Sequence, residues 1–165
     1  MSAPAVVLVA PSFTALLSTG YTIGATGPQP ATGTATLAEK VTWGIGSTEN
    51  NAQFEAIETL TIVSGTPQTV DLTAMTDAGG NAVTFNDIAA IVIVNTGTTT
   101  GANISISGTH PAVAGTFIPV LTPGGGTFAV ADPTSSLGVV SGTSNQITLT
   151  CASGSTTVTV AVIGR

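Results

Sequence analysis

The stretch Ile88-Ala89-Ala90-Ile91-Val92-Ile93-Val94 decides the fold, because each of its seven residues is apolar. A strand that is apolar on both faces has to be covered on both sides, so this stretch is predicted to be a central strand. The run is far shorter than the roughly 20 residues that a helix needs to cross a bilayer. We therefore expect a buried strand here, and no membrane-spanning segment.

The segments around this run alternate between apolar and polar residues. Ile104 and Ile106 alternate with asparagine and serine, and the residues of 156–163 alternate between threonine and valine before ending in Ala-Val-Ile. Alternation with a period of two is typical of half-buried strands. The predicted strands cover residues 59–64, 68–72, 81–85, 88–95, 103–107, 116–121, 127–131, 138–141, 146–151 and 156–163.

Turn-forming residues separate these strands at short intervals. Examples are Asp-Ala-Gly-Gly-Asn at 77–81, Pro-Gly-Gly-Gly at 123–126 and Gly-Thr-Ser-Asn at 142–145. Glycine supplies positive φ, proline presets φ, and asparagine or aspartate bonds its own backbone. Regular short strands of this kind predict an all-β fold, an antiparallel β-sandwich of jelly-roll or immunoglobulin-like topology.

The N-terminal region has a different pattern. Four prolines interrupt residues 1–38, yet the segment is rich in apolar side chains that favour burial. We expect residues 1–38 to form an extended arm that lies on another surface, and residues 39–165 to form the sandwich domain. The alternative is that the arm supplies an ordinary first strand of the same domain. Residues 47–58 are rich in acidic and amide side chains, and are predicted to be a loop with room for one helical turn.

Charge is scarce along the whole chain. Charged residues make up 6% of the 165 residues, the formal net charge is −6, and the mean hydropathy is +0.51. Soluble domains typically carry roughly 25% charged residues. With Lys40 and Arg165 as the only basic side chains, nucleic-acid binding is not expected, because phosphate recognition depends on lysine and arginine. The favoured explanation of the low charge is that neighbouring molecules cover much of the surface, although threonine, serine and asparagine could supply the polarity instead.

The residues that most often carry chemistry are isolated. His110 is the sole histidine and is predicted to be an exposed or interface loop residue, while Cys151 is the sole cysteine and is predicted to be a small buried thiol. Asp77 lacks the ligand spacing of a calcium loop and is predicted to form an Asx turn. The glycines at 124–126 lack the lysine of a phosphate-binding loop and are predicted to form a tight turn. We expect no enzyme activity, no cofactor and no metal.

Residues 56–164 carry a succession of strand and turn signatures. These are Val-Asp-Leu-Thr-Ala-Met-Thr-Asp at 70–77, Gly-Asn-Ala-Val-Thr-Phe at 80–85, the apolar run ending in Asn95, and Asn-Ile-Ser-Ile-Ser-Gly at 103–108. A Pro-Gly-Gly turn before Phe128, Gly-Val-Val-Ser-Gly at 138–142 and a final Thr-Val-Thr-Val-Ala-Val-Ile-Gly follow. Over about two-thirds of its length the chain thus resembles small structural proteins of bacteriophage virions, of the capsid decoration or cement type.

The resemblance implies a protein made in the host cytoplasm that becomes part of the virion, bound outside the lattice of the major capsid protein. The implied partners are the major capsid protein and further copies of the chain, in a homotrimer or a homodimer, with no nucleic acid and no membrane. Within the arm, the predicted contact residues are Val6, Leu8, Phe13, Leu16 and Tyr21. The alternative is a tail, fibre or receptor-binding module, whose exposed loops, such as 96–101 and 108–115, would contact a host glycan or protein.

Overall fold

The computed structural model describes residues 12–23, 31–42, 44–45, 51–77, 79–114, 120–132 and 136–165, and up to residue 51 it describes the backbone alone. All regular secondary structure in these residues is β-strand. The strands are β1 (Ser12–Ile23), β2 (Ala31–Thr42), β3 (Gly44–Ile45), β4 (Asn51–Ala52), β5 (Phe54–Val63), β6 (Gln68–Asp71), β7 (Asp87–Asn95), β8 (Ile104–Gly108), β9 (Gly126–Ala131), β10 (Gly138–Val139), β11 (Gln146–Cys151) and β12 (Ser155–Gly164).

A five-stranded antiparallel sheet forms one layer of the fold. Its strand order is β10-β7-β12-β5, and β9 pairs with β7 beyond the short β10. β12 lies in the middle of this sheet, paired with β5 along its whole length and with β7 on its other side. The alternation of 156–163 explains this position, because Val158, Val160 and Val162 are fully buried while the residues between them are partly exposed. The 88–94 run lies in β7, which has strand neighbours on both sides, so its predicted central position is confirmed. Its predicted cover on both faces is only partly found among the described residues, because Val92 and Val94 stay partly exposed.

A three-stranded antiparallel sheet of order β6-β11-β8 forms the second layer. Side chains from both sheets meet in one core, so the predicted antiparallel sandwich is confirmed. Ile62, Ile91 and Ile93 come from the first sheet, and Ile104, Ile147 and Leu149 come from the second. Each of these six side chains is fully buried. Sandwiches hold their inner faces about 10 Å apart, which is the space that such interdigitating side chains fill.

Two predicted segments differ from the structure. Residues 47–58 are not all loop, because β4 lies at Asn51–Ala52 and β5 begins at Phe54. Long-range pairing with β12 decides this, and local composition gives no sign of it: Glu55 pairs with Ile163, and the fully buried Ala56 anchors the strand in the core. Residues 81–85 form no strand but a single bridge between Thr76 and Ala82. The predicted strand 116–121 falls largely outside the described residues.

β1 and β2 form a separate two-stranded antiparallel sheet, which we call the N-terminal hairpin (residues 12–42). Its twelve register pairs run from Ser12 opposite Thr42 to Ile23 opposite Ala31. β2 continues past residue 38, where the arm is predicted to end. The division into an arm and a sandwich domain stays a prediction.

Candidate interaction surface and loop cleft

The predicted contact residues fall in two places. Val6 and Leu8 lie outside the described residues, whereas Phe13, Leu16 and Tyr21 lie in β1. In an antiparallel ladder, directly opposite residues share a face and successive residues alternate between faces. The register of the hairpin therefore places Phe13 and Tyr21 on one face, with the other odd-numbered positions, and Leu16 on the opposite face.

This register sorts the hairpin sequence by polarity. Nine of the twelve positions on the odd-numbered face are apolar, and the other three are Thr19, Gly33 and Glu39. The apolar positions are Phe13, Ala15, Leu17, Tyr21, Ile23, Ala31, Ala35, Leu37 and Val41. The even-numbered face is mostly serine and threonine and includes Lys40. A two-stranded hairpin is marginally stable in water by itself. We therefore expect the hairpin to pack against a further surface.

The five-stranded sheet presents a second surface with little charge. Glu55 lies on this side of the sheet, at the start of β5. We call the surface beyond it the outer sheet face, and it comprises eleven residues of β5, β12, β7 and β9 that alternate with the core positions: Ile57, Thr59, Thr61, Val63, Thr157, Thr159, Ala161, Val92, Val94, Thr127 and Ala129. Every member is uncharged and at least partly exposed. Ile57 and Val63 retain 45% and 48% of their accessible surface.

The register arranges this face in rows across the sheet. Thr59, Thr159, Val94 and Thr127 lie opposite one another on successive strands, and the hydroxyls of Thr59 and Thr159 are 3.4 Å apart. The neighbouring row is Ile57, Ala161, Val92 and Ala129. This surface consists of small and β-branched side chains without charge. Another uncharged surface can therefore cover it, and no unpaired charge becomes buried.

One end of the sheet is already covered by the chain. Ala52, in the segment just before β5, is fully buried against Ala89 and Ala90, with Ala131 and Ile163 packed at the edge of this small cluster. β4 therefore lies beside the sheet at this end.

A cleft opens between two loops at one end of the sandwich, and we call it the loop cleft. It has a volume of about 340 Å³ and is lined by Thr98, Thr100, Gly101, Asn103, Thr122, Pro123 and Gly124. None of these residues is charged. The lining comes from the β7–β8 loop, which includes the predicted exposed loop 96–101, and from the segment that precedes β9.

Asn95 lies beneath this cleft and ties its two loops together. The side chain is fully buried, and its Nδ2 donates hydrogen bonds of 3.0 Å to the carbonyls of Ala102 and Leu121. Its Oδ1 accepts a 2.6 Å hydrogen bond from the hydroxyl of Thr156, and its backbone carbonyl accepts one from Gly125. In the sequence, Asn95 stands out only as the end of the apolar run. The sequence did carry one sign of this role, because Asn95 places an amide at the end of a buried strand, just before a glycine-rich loop.

His110 is buried, so its predicted exposure is wrong. The side chain has no accessible surface; Nδ1 accepts a hydrogen bond from the backbone of Ala112, and Nε2 lies 3.3 Å from the carbonyl of Gly138. These contacts fit a neutral ring with the proton on Nε2. Burial lowers the pKa of His110 below its ordinary value, and the hydrogen bond to Gly138 opposes that shift in part. The ring joins the 110–113 turn to β10, a structural task that sequence alone did not indicate.

The other singled-out residues have structural roles. The carboxylate of Asp77 accepts hydrogen bonds from the backbone N–H groups of Gly79 and Asn81, both at 2.8 Å, which confirms the Asx turn. Cys151 is buried, and its thiol donates to the carbonyl of Ser153, as expected for an inert core residue. Positive φ at Gly124 and Gly125 confirms the tight turn at 124–126.

One ion pair was not anticipated from the sequence. Arg165 is almost fully buried; its Nε lies 2.8 Å from Oδ1 of Asp87 and donates to Oδ2 at 3.1 Å. The backbones of the two residues also bond to each other, in both directions. The pair fixes the end of β12 to the start of β7. The loop cleft lies beyond the other end of β7.

Within the described residues, no group of three or more His, Cys, Asp or Glu side chains is placed to hold a metal ion. The same part of the chain contains no helix with the length and apolar character to cross a membrane. Comparisons with protein-family models, with curated proteins and with solved structures return no match.

Proposed function

We propose that this chain is a decoration protein of a bacteriophage head, which binds the outside of the major capsid protein lattice and stabilises the shell. In this role the sandwich associates with further copies of the chain through the outer sheet face. The N-terminal arm reaches neighbouring capsid subunits through Val6, Leu8, Phe13, Leu16 and Tyr21.

The observation that carries the proposal is that a chain of very low charge presents two surfaces with almost no charged residues. The outer sheet face has no charged member among its eleven residues and adjoins a single charged residue on β5, Glu55, while the odd-numbered face of the hairpin has Glu39 alone. Surface charge normally keeps a free protein soluble. Surfaces of this kind instead suit a molecule that spends its working life covered by neighbours.

The proposed mechanism is thermodynamic linkage. A protein that binds only the assembled lattice stabilises that lattice by mass action, because dissociation of the shell then requires loss of the bound ligand. Binding as an oligomer at a symmetry point lets several weak contacts act together, since each bound arm raises the effective concentration of the next. A strand-forming arm can add to an exposed sheet edge of a capsid subunit through main-chain hydrogen bonds.

The test is co-sedimentation of the purified protein with particles of the encoding phage that lack it. We expect full-length protein to pellet with the particles at a saturating ratio of hundreds of copies, and a variant lacking residues 1–38 to stay in the supernatant. Saturation at about a dozen copies or fewer would instead indicate a tail or fibre location.

The truncated variant needs a check on its fold. Its core side chains lie between Ala56 and Val162, so its urea unfolding transition is expected to match that of the full-length chain. A folded variant that still binds the particles would overturn the role of the arm.

A further inference from the structure

We propose that the loop cleft is a binding site for a neutral saccharide. The proposal does not depend on the decoration role, because it concerns the opposite kind of surface: a small concave site with exposed polar groups. The volume of about 340 Å³ is at the lower end of the ~300–1,000 Å³ typical of ligand sites, which suits a short saccharide.

The polar groups of the cleft are free to bind a ligand. Among the described residues, the hydroxyls of Thr98, Thr100 and Thr122 and the amide of Asn103 have no hydrogen-bond partner, while other threonines of the two sheets, such as Thr69 with Thr148, bond to each other. Threonine hydroxyls and the asparagine amide both donate and accept hydrogen bonds. Gly101 and Gly124 add exposed backbone to the lining.

The cleft is held in shape from below. Besides the bonds of Asn95, Gly124 N–H donates to the carbonyl of Gly97 at 2.7 Å, which joins the two loops directly. The hydroxyl of Ser153 donates to the carbonyl of Gly101 at 2.8 Å. A site whose backbone is fixed before the ligand arrives loses less conformational entropy on binding.

The chemistry of the lining selects the ligand class. A charged ligand would be desolvated without a countercharge, since no lining residue is charged. A purely apolar ligand would cover the hydroxyls and the amide without satisfying them. A neutral saccharide offers hydroxyls to these groups and C–H surface to Pro123 and the threonine methyls. Because the described residues that line the cleft include no aromatic ring, we expect a dissociation constant on the order of millimolar.

The experiment is NMR titration of the full-length, ¹⁵N-labelled protein with neutral mono- and oligosaccharides of glucose, galactose and N-acetylglucosamine. We expect saturable shifts of the Gly101 and Gly124 amides with at least one of them. A sialylated oligosaccharide tests the requirement for neutrality, and should give no saturable shift at these amides. Comparing the affinity for a neutral polysaccharide with that for its free monosaccharide shows whether the ligand of the cleft is a surface polymer or a free sugar.

Two lining variants and one control locate the binding. N103A and T122A should each weaken binding about fivefold, the loss expected for one hydrogen bond. T143A, an exposed threonine in the separate 142–145 turn, should bind as wild type does. Shifts that are absent with every neutral sugar, or that persist unchanged in both N103A and T122A, would overturn the site. Particle binding by N103A tests the decoration role separately and is expected to be unchanged.

Discussion

Asn95 shows how one polar side chain can organise the end of a β-sandwich. Three of its side-chain hydrogen bonds reach three separate segments, at Ala102, Leu121 and Thr156. A buried amide is costly unless its donors and acceptors are satisfied. Here both protons of Nδ2 and one lone pair of Oδ1 have partners, so the residue holds the loops together in place of an apolar side chain.

Replacing Asn95 by alanine should destabilise the fold by about 3 kcal/mol. The carbonyl of Ala102 and the hydroxyl of Thr156 would lose the bonds that Asn95 makes to them, and the carbonyl of Leu121 would keep only its bond from the N–H of Ile104. The measurement is urea unfolding, with N103A as the control. Asn103 is partly exposed and its side chain has no bond to other described residues, so its loss should change stability by less than about 0.5 kcal/mol. Equal stability of N95A and N103A would show that Asn95 is not the tie between the loops.

His110 makes stability depend on pH. Its pKa lies below the ordinary value of 6.5 in the folded chain, chiefly because burial disfavours the charged ring. As pH falls through 6.5, the unfolded chain takes up a proton before the folded chain does, so stability decreases on acidification. We expect this loss to begin as pH falls through the ordinary value of 6.5 and to continue until pH has fallen through the lowered pKa of the folded chain. The pKa of Asp71 is also lowered, from 3.8 by its bonds to Thr73, so its contribution is lost only at more acid pH.

The measurement follows the single histidine directly. The ring resonance of His110 should titrate at lower pH in the folded protein than in urea-unfolded protein. In H110Q, whose amide can replace both ring hydrogen bonds, the loss of stability over the same pH range should disappear. A folded-state midpoint at or above the unfolded one would contradict this account.

At the scale of the strands, local pattern and long-range pairing contribute differently. The alternating segments became strands as predicted, with 146–151 matching β11 residue for residue. The acidic stretch before residue 59 became the first half of β5 because β12 offers it a continuous partner. A short window of sequence cannot predict pairing with a strand about a hundred residues away.

The crossing of the β7–β8 loop over β12 depends on Gly97. A Cβ at this position would overlap the Thr156 hydroxyl and lie 2.9 Å from the backbone nitrogen of Thr157. We expect G97A to cost roughly 1–3 kcal/mol of unfolding free energy, as overpacking does. The matched control is G142A, because a Cβ at Gly142 meets no atom within 4 Å. Thermal unfolding of both variants tests the prediction, which fails if G97A and G142A melt together.

For the whole molecule, the distribution of charge is the dominant feature. The chain has eight acidic and two basic residues for an accessible surface of 8967 Å². The eleven residues of the outer sheet face include none of them, and Glu55 adjoins that face at the start of β5. Such a face exposes apolar and hydroxyl groups over four neighbouring strands. We expect it to mediate contact between copies of the chain.

A single lysine on this face should prevent self-association, because its charge would be buried without a partner. T159K places the lysine in the row that Thr159 forms with Thr59, Val94 and Thr127. T148K is the matched control on the other sheet, where Thr148 pairs with Thr69 in the same way. Sedimentation analysis should show T159K as a monomer and T148K as an oligomer like wild type. A monomeric wild-type protein, or an oligomeric T159K, would refute the contact.

Sequence by itself determined the class of fold and most of the strands, because a period of two and turn residues act over a few neighbouring positions. It also determined the scarcity of charge, and it identified Asp77, Cys151 and the 124–126 glycines as structural residues. Only the tertiary structure decided the burial of His110, the ties of Asn95, the Asp87–Arg165 pair and the outer sheet face. Each of these depends on which strands become neighbours, and that choice is made by packing of the whole core.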